Sequence, residues 1–311
     1  MSSTDRFRPS RRHLALVGPT ASGKSALALA VARQRDDVEL VTVDSMQVYR
    51  GMDIGTAKPT HFEQAEIRHH LLDLCDPDED YTVARFQRDC LAVLSDIEAR
   101  GKRAILVGGT GLYLQSITDD LDLPSRFPDV RADIERESDT AVLFARLEQL
   151  DPLAASRMEP TNRRRVVRAL EVTLGSGQPF SSFGPGLEDY PPAPFPIFGL
   201  TMTRDVLDLR IALRYRQQMD TGFLDEVQTL LERPKGLSRT ARQALGYAEL
   251  LAHLEIGLPL DEALETALTR TKRFARRQQR WFGRDPRINW IATEGEESSN
   301  LVAELVRGLV D

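Results

Sequence analysis

Eight consecutive residues near the start of the chain match the phosphate-binding pattern G-x-x-x-x-G-K-[ST]. They are Gly18, Pro19, Thr20, Ala21, Ser22, Gly23, Lys24 and Ser25. In loops of this type, called P-loops, backbone N–H groups surround phosphate oxygens, and the positive end of the following helix adds to the attraction. We expect Lys24 to contact the terminal phosphates and Ser25 to ligate Mg²⁺, the cofactor that this pattern implies. The loop predicts a phosphate-chain ligand and leaves the reaction open.

One carboxylate follows a predicted strand in a position where it could act beside this loop. Asp44 comes directly after Leu40 to Val43, whereas the apolar run Arg103 to Val107 ends in Gly108-Gly109-Thr110-Gly111. P-loop kinases and NTPases usually place an acidic residue near such a strand to hold Mg²⁺. Two interpretations of Asp44 remain open: a magnesium-side acid of an ordinary NTPase, or a general base that faces a second substrate.

These residues need a scaffold that brings strand ends together, and the apolar periodicity predicts one. Short β-like runs alternate with helical stretches, which indicates an α/β fold: a P-loop NTPase-like parallel sheet with helices on both faces. The predicted strands are His13 to Val17, Glu39 to Val43, His69 to Leu74, Arg103 to Val107, Phe195 to Leu200 and Ile288 to Ala292. The predicted helices around them are Gly23 to Gln34, Thr82 to Arg100, Arg204 to Asp220, Gly222 to Glu232, Thr240 to Leu254 and Asp261 to Phe282.

The middle of the chain follows a different pattern, with helices and polar loops but no convincing strand. Its predicted helices are Asp129 to Glu137, Thr140 to Leu150 and Thr161 to Leu174. We therefore predict a catalytic core formed by residues 13–124 and 197–311, interrupted by an all-helical insertion domain at residues 125–196. Residues 1–12 carry four arginines without an apolar stretch behind them, and we expect a disordered tail there.

Composition limits the class of protein. The net charge of −6 argues mildly against a nucleic-acid partner, so RNA would have to bind local basic patches. Two isolated cysteines suggest a reducing compartment, and no apolar run approaches the length of a membrane span. We expect a cytoplasmic monomer with no membrane partner.

Two predicted helices carry basic patches. The first patch is Arg163, Arg164, Arg165 and Arg168; the second is Arg273, Arg276, Arg277 and Arg280, whose spacing places them on one helix face. Such a stripe suits an RNA phosphate backbone, and a solvated or ion-paired face is the alternative.

Several further motifs, taken in order, resemble one family. The blocks are Asp44-Ser45-Met46-Gln47-Val48-Tyr49, Gly51 to Pro59 (GMDIGTAKP), His70 to Asp73 (HLLD), Gly108 to Tyr113 (GGTGLY), Arg164 to Glu171 (RRVVRALE), Gly222-Phe223, Gln243 to Tyr247 (QALGY) and Arg276 to Phe282 (RRQQRWF). In this order and with these gaps, the chain resembles the tRNA dimethylallyltransferases over about residues 13–292.

The resemblance implies an activity and roles for individual residues. Members join the dimethylallyl group of dimethylallyl diphosphate to N6 of the adenosine on the 3′ side of the tRNA anticodon, and diphosphate leaves. By this resemblance the P-loop holds the donor's diphosphate, Thr110 and Arg242 complete that grip, and Asp44 accepts the N6 proton. The implied tRNA-contacting residues are Asp44, Ser45, Met46, Gln47, Thr110, Arg131, Arg164, Arg165, Val166, Val167 and Arg168. The helical insertion would help to clasp the anticodon arm.

Other interpretations stay open on the residues alone. A nucleotide or small-molecule kinase would use the same loop for ATP as phosphoryl donor. A non-catalytic RNA-binding module gated by a nucleotide would have no use for Asp44 beside the loop. For single residues the alternatives are turn geometry for Thr110, a solvated helix face for Arg242, and core packing for Trp281 and Phe282.

Overall fold

The computed structural model describes residues 7–294 and 298–309, which form two compact units. The first unit combines Met1–Asp119 with Pro192–Asp311, and the second is Asp120–Pro191. Both boundaries lie earlier in the chain than residues 125 and 196. At the second boundary the reason is packing, because Phe195 is buried in the core of the first unit and Pro196 O accepts a hydrogen bond from Ala15 N–H (2.9 Å).

Residues 7–12, part of the predicted disordered tail, contact the first unit. Phe7 packs partly buried against the core, and Ser10 N–H donates to Glu98 Oε1 (2.7 Å). The same carboxylate meets His13 Nε2 at 2.9 Å, so the segment is fixed where it enters the first strand. Residues 1–6 of that prediction lie outside the described residues.

A parallel sheet forms the centre of the first unit. Its strands are β1 (Leu14–Val17), β2 (Val38–Val43), β3 (His69–His70), β4 (Arg103–Gly108), β5 (Ile197–Thr201) and β6 (Ile288–Ala292). They lie in the order β3-β2-β4-β1-β5-β6, and each neighbouring pair is parallel. Successive strand residues point to opposite faces, so Ala15 and Val17 enter one apolar cluster and Leu14 and Leu16 enter another. The sheet is therefore buried on both sides.

Helices cover both faces of this sheet. In chain order the helices are α1 (Lys24–Ala32), α2 (His61–Glu66), α3 (Val83–Ala99), α4 (Gly111–Thr118), α5 (Pro128–Glu135), α6 (Thr140–Leu150), α7 (Pro152–Ser156), α8 (Arg163–Ser176), α9 (Arg204–Asp220), α10 (Phe223–Leu231), α11 (Arg239–Arg242), α12 (Tyr247–Ile256), α13 (Leu260–Phe282) and α14 (Ser298–Gly308). Buried residues of α1 and α14 pack on one face, and those of α3, α4, α9, α12 and α13 pack on the other. This arrangement confirms the predicted α/β fold class.

Two local predictions differ from the structure because the backbone turns where the periodicity continues. The strand predicted from His69 to Leu74 ends at His70, since Leu71 and Asp73 adopt positive φ angles of 64° and 54°. The helix predicted from Thr240 to Leu254 divides into α11 and α12 at Gly246, which has φ of 84°. A Cβ atom at Gly246 would lie 2.8 Å from a ring carbon of Phe223, so glycine is required at this turn.

Helix α14 was not predicted from the sequence. Its apolar residues Leu301, Val302 and Leu305, and Leu309 directly after it, are buried in the cluster that also contains α1. This short amphipathic helix completes the cover of one sheet face.

The second unit is all-helical and has its own core. It contains α5 to α8 and a 3₁₀ helix at Phe180–Phe183. Ile134, Leu143, Leu147, Val166 and Leu170 lie in its buried cluster, which brings α5, α6 and α8 together. Within residues 7–294 and 298–309, the helices lack the combination of length and apolar character that crossing a bilayer requires.

Candidate active site

The carboxyl ends of three neighbouring strands lie level with one another. Val17 of β1 and Val43 of β2 both pair with Gly108 of β4. Since the strands are parallel, the loops that follow these residues leave the sheet at the same edge. The P-loop, Asp44 and the GGTGLY turn therefore meet there.

The P-loop has the backbone shape that its glycines permit. Gly18 and Gly23 have φ angles of 143° and 92°, and a Cβ atom at Gly18 would lie 2.8 Å from Leu200 O. Helix α1 begins at Lys24, directly after this turn. The unpaired N–H groups of the first helical turn and their dipole make this a suitable site for phosphate oxygens.

Lys24 is buried in the loop and holds its shape. Its Nζ donates to Pro19 O (2.6 Å) and to Ser22 Oγ (3.4 Å). Burial, together with the nearby charge of Arg214, lowers the pKa of Lys24 to about 7, while Asp44 opposes that shift. A bound anion would favour the charged form and raise this pKa again.

Two residues that the sequence did not single out join the loops of the site. Arg214 of α9 donates from Nη1 to Thr20 Oγ1 (2.9 Å). Gln278 of α13 is buried; its Oε1 accepts from Thr20 N–H (2.8 Å), and its Nε2 donates to Gly109 O (2.9 Å). A Cβ atom at Gly109 would lie 2.2 Å from that Nε2, so the glycine allows the bridge. Gln278 lies inside the RRQQRWF block, whereas no motif marked Arg214.

Asp44 lies half-buried at the end of β2, beside the P-loop. Its Oδ1 accepts hydrogen bonds from Met46 N–H (2.8 Å) and Gln47 N–H (3.4 Å). Burial raises the pKa of Asp44, although these two N–H groups and the charges of Lys24 and Arg214 act in the opposite direction. A positioned carboxylate with a raised pKa is a better general base than an ordinary surface one.

Thr110 links the Asp44 block to the GGTGLY turn. It precedes the first residue of α4, and its Oγ1 accepts from Ser45 N–H (3.1 Å). The side-chain amide of Gln47 has other partners: its Nε2 donates to Thr56 O (3.0 Å) and Ala57 O (3.1 Å). Met46 packs partly buried against the core. The predicted residues 44–47 and 110 therefore form one connected group.

Arg242 stays a predicted diphosphate contact. It ends the one-turn helix α11 and forms an ion pair with Glu255 on α12. Among the described residues, Arg214 donates to Thr20 of the P-loop, and Arg210 also lies near the loop, since a Cβ atom at Gly23 would be 3.6 Å from its Nη1. The break at Gly246 separates α11 from α12, and the ion pair between Arg242 and Glu255 connects the two helices.

The predicted tRNA-contacting residues of the second unit divide into two groups. Arg164 and Arg165 are exposed at the start of α8. Arg131 and Arg168 instead form ion pairs with the buried carboxylate of Glu171, at 3.2 and 2.8 Å.

Val166 and Val167 require a correction. Both side chains are buried in the core of the second unit, at 0% and 2% exposure, because they lie on the inner face of α8. Their side chains support the helix and do not reach a ligand from outside.

The arginine stripe on α13 is partly a structural feature. Arg273, Arg277 and Arg280 are exposed, whereas Arg276 is half-buried and pairs with Asp208 of α9 (3.6 Å). The following Phe282 is buried, as the core-packing alternative expected. Three exposed arginines therefore remain on this helix as candidates for phosphate contacts.

The residues of the loop fit Mg²⁺ carried by a phosphate ligand. Mg²⁺ prefers oxygen ligands and often binds through substrate phosphates with few protein ligands. Ser25 is exposed in the first turn of α1, so its hydroxyl can reach such an ion. In the part of the chain that the structure describes, no group of three or more His, Cys, Asp or Glu residues could hold a metal by itself.

The fold and the loop define the class first. A parallel sheet with a P-loop after β1 and helices on both faces has the architecture of a P-loop NTPase-like enzyme. Within that class, the family model described as IPP transferase matches residues 47–285. The chain belongs to this family, the tRNA dimethylallyltransferases.

Known proteins agree with this assignment. The tRNA dimethylallyltransferase of Corynebacterium efficiens is 46% identical over 299 residues, which cover 94% of this chain and 99% of that protein. The crystal structure of the tRNA isopentenylpyrophosphate transferase from Bacillus halodurans is similar with a TM-score of 0.70 and 35% identity, covering 96% of this chain and 95% of that one. A eukaryotic dimethylallyltransferase, described in crystallographic snapshots of its action on tRNA, has a TM-score of 0.75 and 27% identity, covering 90% of this chain and 73% of its own.

Proposed function

We propose that the protein transfers a dimethylallyl group from dimethylallyl diphosphate to N6 of the adenosine 3′-adjacent to the anticodon in tRNA. The observation that carries this proposal is the position of Asp44. A carboxylate with a raised pKa lies at the sheet edge where a phosphate-binding loop ends, beside Lys24 and Arg214. Such a site can hold a diphosphate donor and deprotonate an acceptor at the same time.

The donor side neutralises the charge of the leaving diphosphate. Loop N–H groups, Lys24 and Arg214 surround the phosphate oxygens. Thr110 contributes its hydroxyl from the neighbouring turn, and Arg242 contributes a further positive charge, as the family resemblance implies. Mg²⁺, when bound with the donor and Ser25, supplies further positive charge to the leaving oxygens. Donors aimed at charge that develops on the leaving group lower the barrier to breaking the C–O bond.

The acceptor side activates a weak nucleophile. The lone pair of an exocyclic adenine amine is delocalised into the ring, so attack is easier when a base removes the proton as nitrogen bonds to carbon. Asp44 takes that proton while the bond from N6 to C1 of the dimethylallyl group forms and diphosphate leaves. The base must leave its stack to reach the site, which costs least in a single-stranded loop.

The tRNA contacts combine the Asp44 block with exposed arginines. Ser45, Met46 and Gln47 shape the entrance for the base. Arg164 and Arg165 of the helical unit, and Arg273, Arg277 and Arg280 of α13, are exposed and suit the phosphate backbone. Arg131 and Arg168 act through Glu171, which fixes the start of α5 by accepting Phe127 N–H (2.9 Å).

A kinase is the weaker alternative. It would need ATP as donor and would have to use Asp44 as its magnesium-side acid, since β4 ends in Gly108 followed by Gly109. Family membership also favours prenyl transfer. Because the terminal phosphates of ATP suit the same loop, we expect ATP to compete weakly with the donor.

The test in cells is nucleoside analysis of tRNA by mass spectrometry. Cells that lack the gene should lose the N6-dimethylallyl modification of the adenosine next to the anticodon, and a plasmid copy should restore it. A copy carrying Asp44→Asn should not restore it at comparable protein levels. Unchanged nucleosides in the deletion strain would contradict the proposed function.

The enzyme is also proposed to act as a cytoplasmic monomer. Both cysteines, Cys75 and Cys90, are buried free thiols, as is usual in a reducing compartment. Light scattering after size exclusion should give a mass near 34.9 kDa. A mass of twice that value would contradict the monomer.

A further inference from the structure

The carboxylate of Glu226 on α10 lies among donors from a distant part of the chain. Its Oε2 accepts from Asp53 N–H (2.9 Å) and Ile54 N–H (2.7 Å). Its Oε1 accepts from Gly55 N–H (3.1 Å) and from the Tyr247 hydroxyl (2.6 Å). Three consecutive backbone donors around one carboxylate form a specific and strong contact, because hydrogen bonds to an ionised acceptor are stronger than neutral ones.

The same segment, residues 53–57, is held from a second direction. Gln218 of α9 donates from Nε2 to Ile54 O (2.6 Å) and Gly55 O (3.2 Å). Gly55 lies so close to Phe223 that a Cβ atom there would be 2.2 Å from the ring. The GTAKP, GF and QALGY motifs therefore meet in one packed and hydrogen-bonded cluster.

This cluster is connected to the site through Gln47. Thr56 O and Ala57 O accept both donors of the Gln47 side-chain amide, at 3.0 and 3.1 Å. The backbone N–H of Gln47 in turn donates to Asp44 Oδ1 (3.4 Å). A displacement of residues 53–57 would therefore move Gln47 and alter the support of the Asp44 carboxylate.

We propose that Glu226 is a positioning residue for the acceptor side of the site. It fixes residues 53–57, which hold Gln47 and thereby the Asp44 block in the geometry needed for the adenine. A simpler role, stabilising the start of α10 as an acidic residue in its first turn, does not account for partners 171 to 173 residues away. The inference rests on the proposed tRNA prenylation, whereas the donor loop is held separately by Gln278 and Arg214.

The test is the steady-state kinetics of Glu226→Gln with each substrate varied in turn. The amide has one acceptor and places an NH₂ group among donors, so residues 53–57 should shift. Because a misplacement of about 1 Å can cost about 100-fold, we expect kcat/KM for tRNA to fall about 10- to 100-fold. The KM for dimethylallyl diphosphate should stay at the wild-type value. A KM for dimethylallyl diphosphate that rises about as much as kcat/KM for tRNA falls, or no loss in kcat/KM for tRNA, would overturn the proposal.

Two further variants keep this test decisive. Glu232→Gln removes an exposed carboxylate at the end of the same helix, where it accepts a local bond from Gln228, and it should behave as wild type. Tyr247→Phe removes one donor and keeps the carboxylate, so it should give a smaller loss of the same kind even if Glu226→Gln does not fold. A Tyr247→Phe enzyme that loses donor affinity instead would also overturn the proposal. Wild-type enzyme that makes no prenylated tRNA would contradict the proposed function itself.

Discussion

Replacing Asp44 with asparagine should separate chemistry from donor binding. The substitution keeps an oxygen at Oδ1, so the contacts with Met46 N–H and Gln47 N–H can remain. It removes the negative charge and the basicity. General-base catalysis contributes about 10²- to 10⁴-fold, so we expect turnover to fall at least about 100-fold. That loss corresponds to about 2.7 kcal/mol of transition-state stabilisation.

The structure also predicts a pH-dependent side effect of this substitution. The charge of Asp44 supports protonation of Lys24, whose pKa is already lowered to about 7. Without that charge the pKa of Lys24 falls further, so the donor affinity of the variant should begin to weaken at a lower pH than that of the wild type. At a pH well below the lowered pKa, where Lys24 is charged in both proteins, donor affinity should match wild type.

The assay is single-turnover transfer of labelled dimethylallyl groups to tRNA, with donor affinity measured separately by equilibrium binding. Asp36→Asn is a matched control, because Asp36 is exposed just before β2 whereas Asp44 follows the same strand. That control should keep full activity. Turnover of Asp44→Asn near the wild-type rate would refute the role of Asp44 as base.

Four further results are expected. Because neutral Lys24 binds anions less well, donor affinity of the wild type should fall as pH rises through about 7. Calorimetry in buffers of different ionisation enthalpy should show proton uptake on donor binding above that pH. No proton uptake would contradict the assigned charge state of Lys24. Lys24→Ala should abolish prenyl transfer in the standard assay, and retained activity would remove Lys24 from the diphosphate grip. Replacing Arg277 and Arg280 with alanine should weaken tRNA binding and reduce the slope of log affinity against log salt concentration by up to about one unit per lost phosphate contact. Arg276→Ala is a comparison that should mainly affect stability. An unchanged slope would exclude this face of α13 as a tRNA contact. Gln278→Ala leaves Thr20 N–H and Gly109 O without their shared hydrogen-bond partner. The free energy of unfolding should therefore fall by about 1–3 kcal/mol, and donor affinity should drop. A denaturation curve equal to that of the wild type would contradict this role of Gln278.

The sequence predicted the scaffold of the site because its signals are local. The glycine-rich loop between an apolar run and a helical run specified β1, the P-loop and α1, and the structure has them in that order. Parallel strands place their following loops at one edge, which brought Asp44 and the GGTGLY turn to the loop.

Contacts between distant residues were not predictable in the same way. Arg214 contacts Thr20 across 194 residues, and nothing in the pattern of α9 distinguishes it from its other arginines. The pairing of Arg242 with Glu255 was likewise not predictable, whereas its contact with the diphosphate is implied by resemblance alone. The break at Gly246 depends on its contact with Phe223, which only the folded chain reveals.

Transfer by the purified protein in the absence of ATP tests the central claim most directly. The reaction contains wild-type protein, Mg²⁺, labelled dimethylallyl diphosphate and unmodified tRNA, and product is followed by label in tRNA and by mass spectrometry of its nucleosides. We predict one dimethylallyl group per tRNA, on N6 of the adenosine 3′-adjacent to the anticodon, with diphosphate released in equal amount. A strict requirement for ATP, with ADP and phosphate formed in proportion to product, would contradict the account.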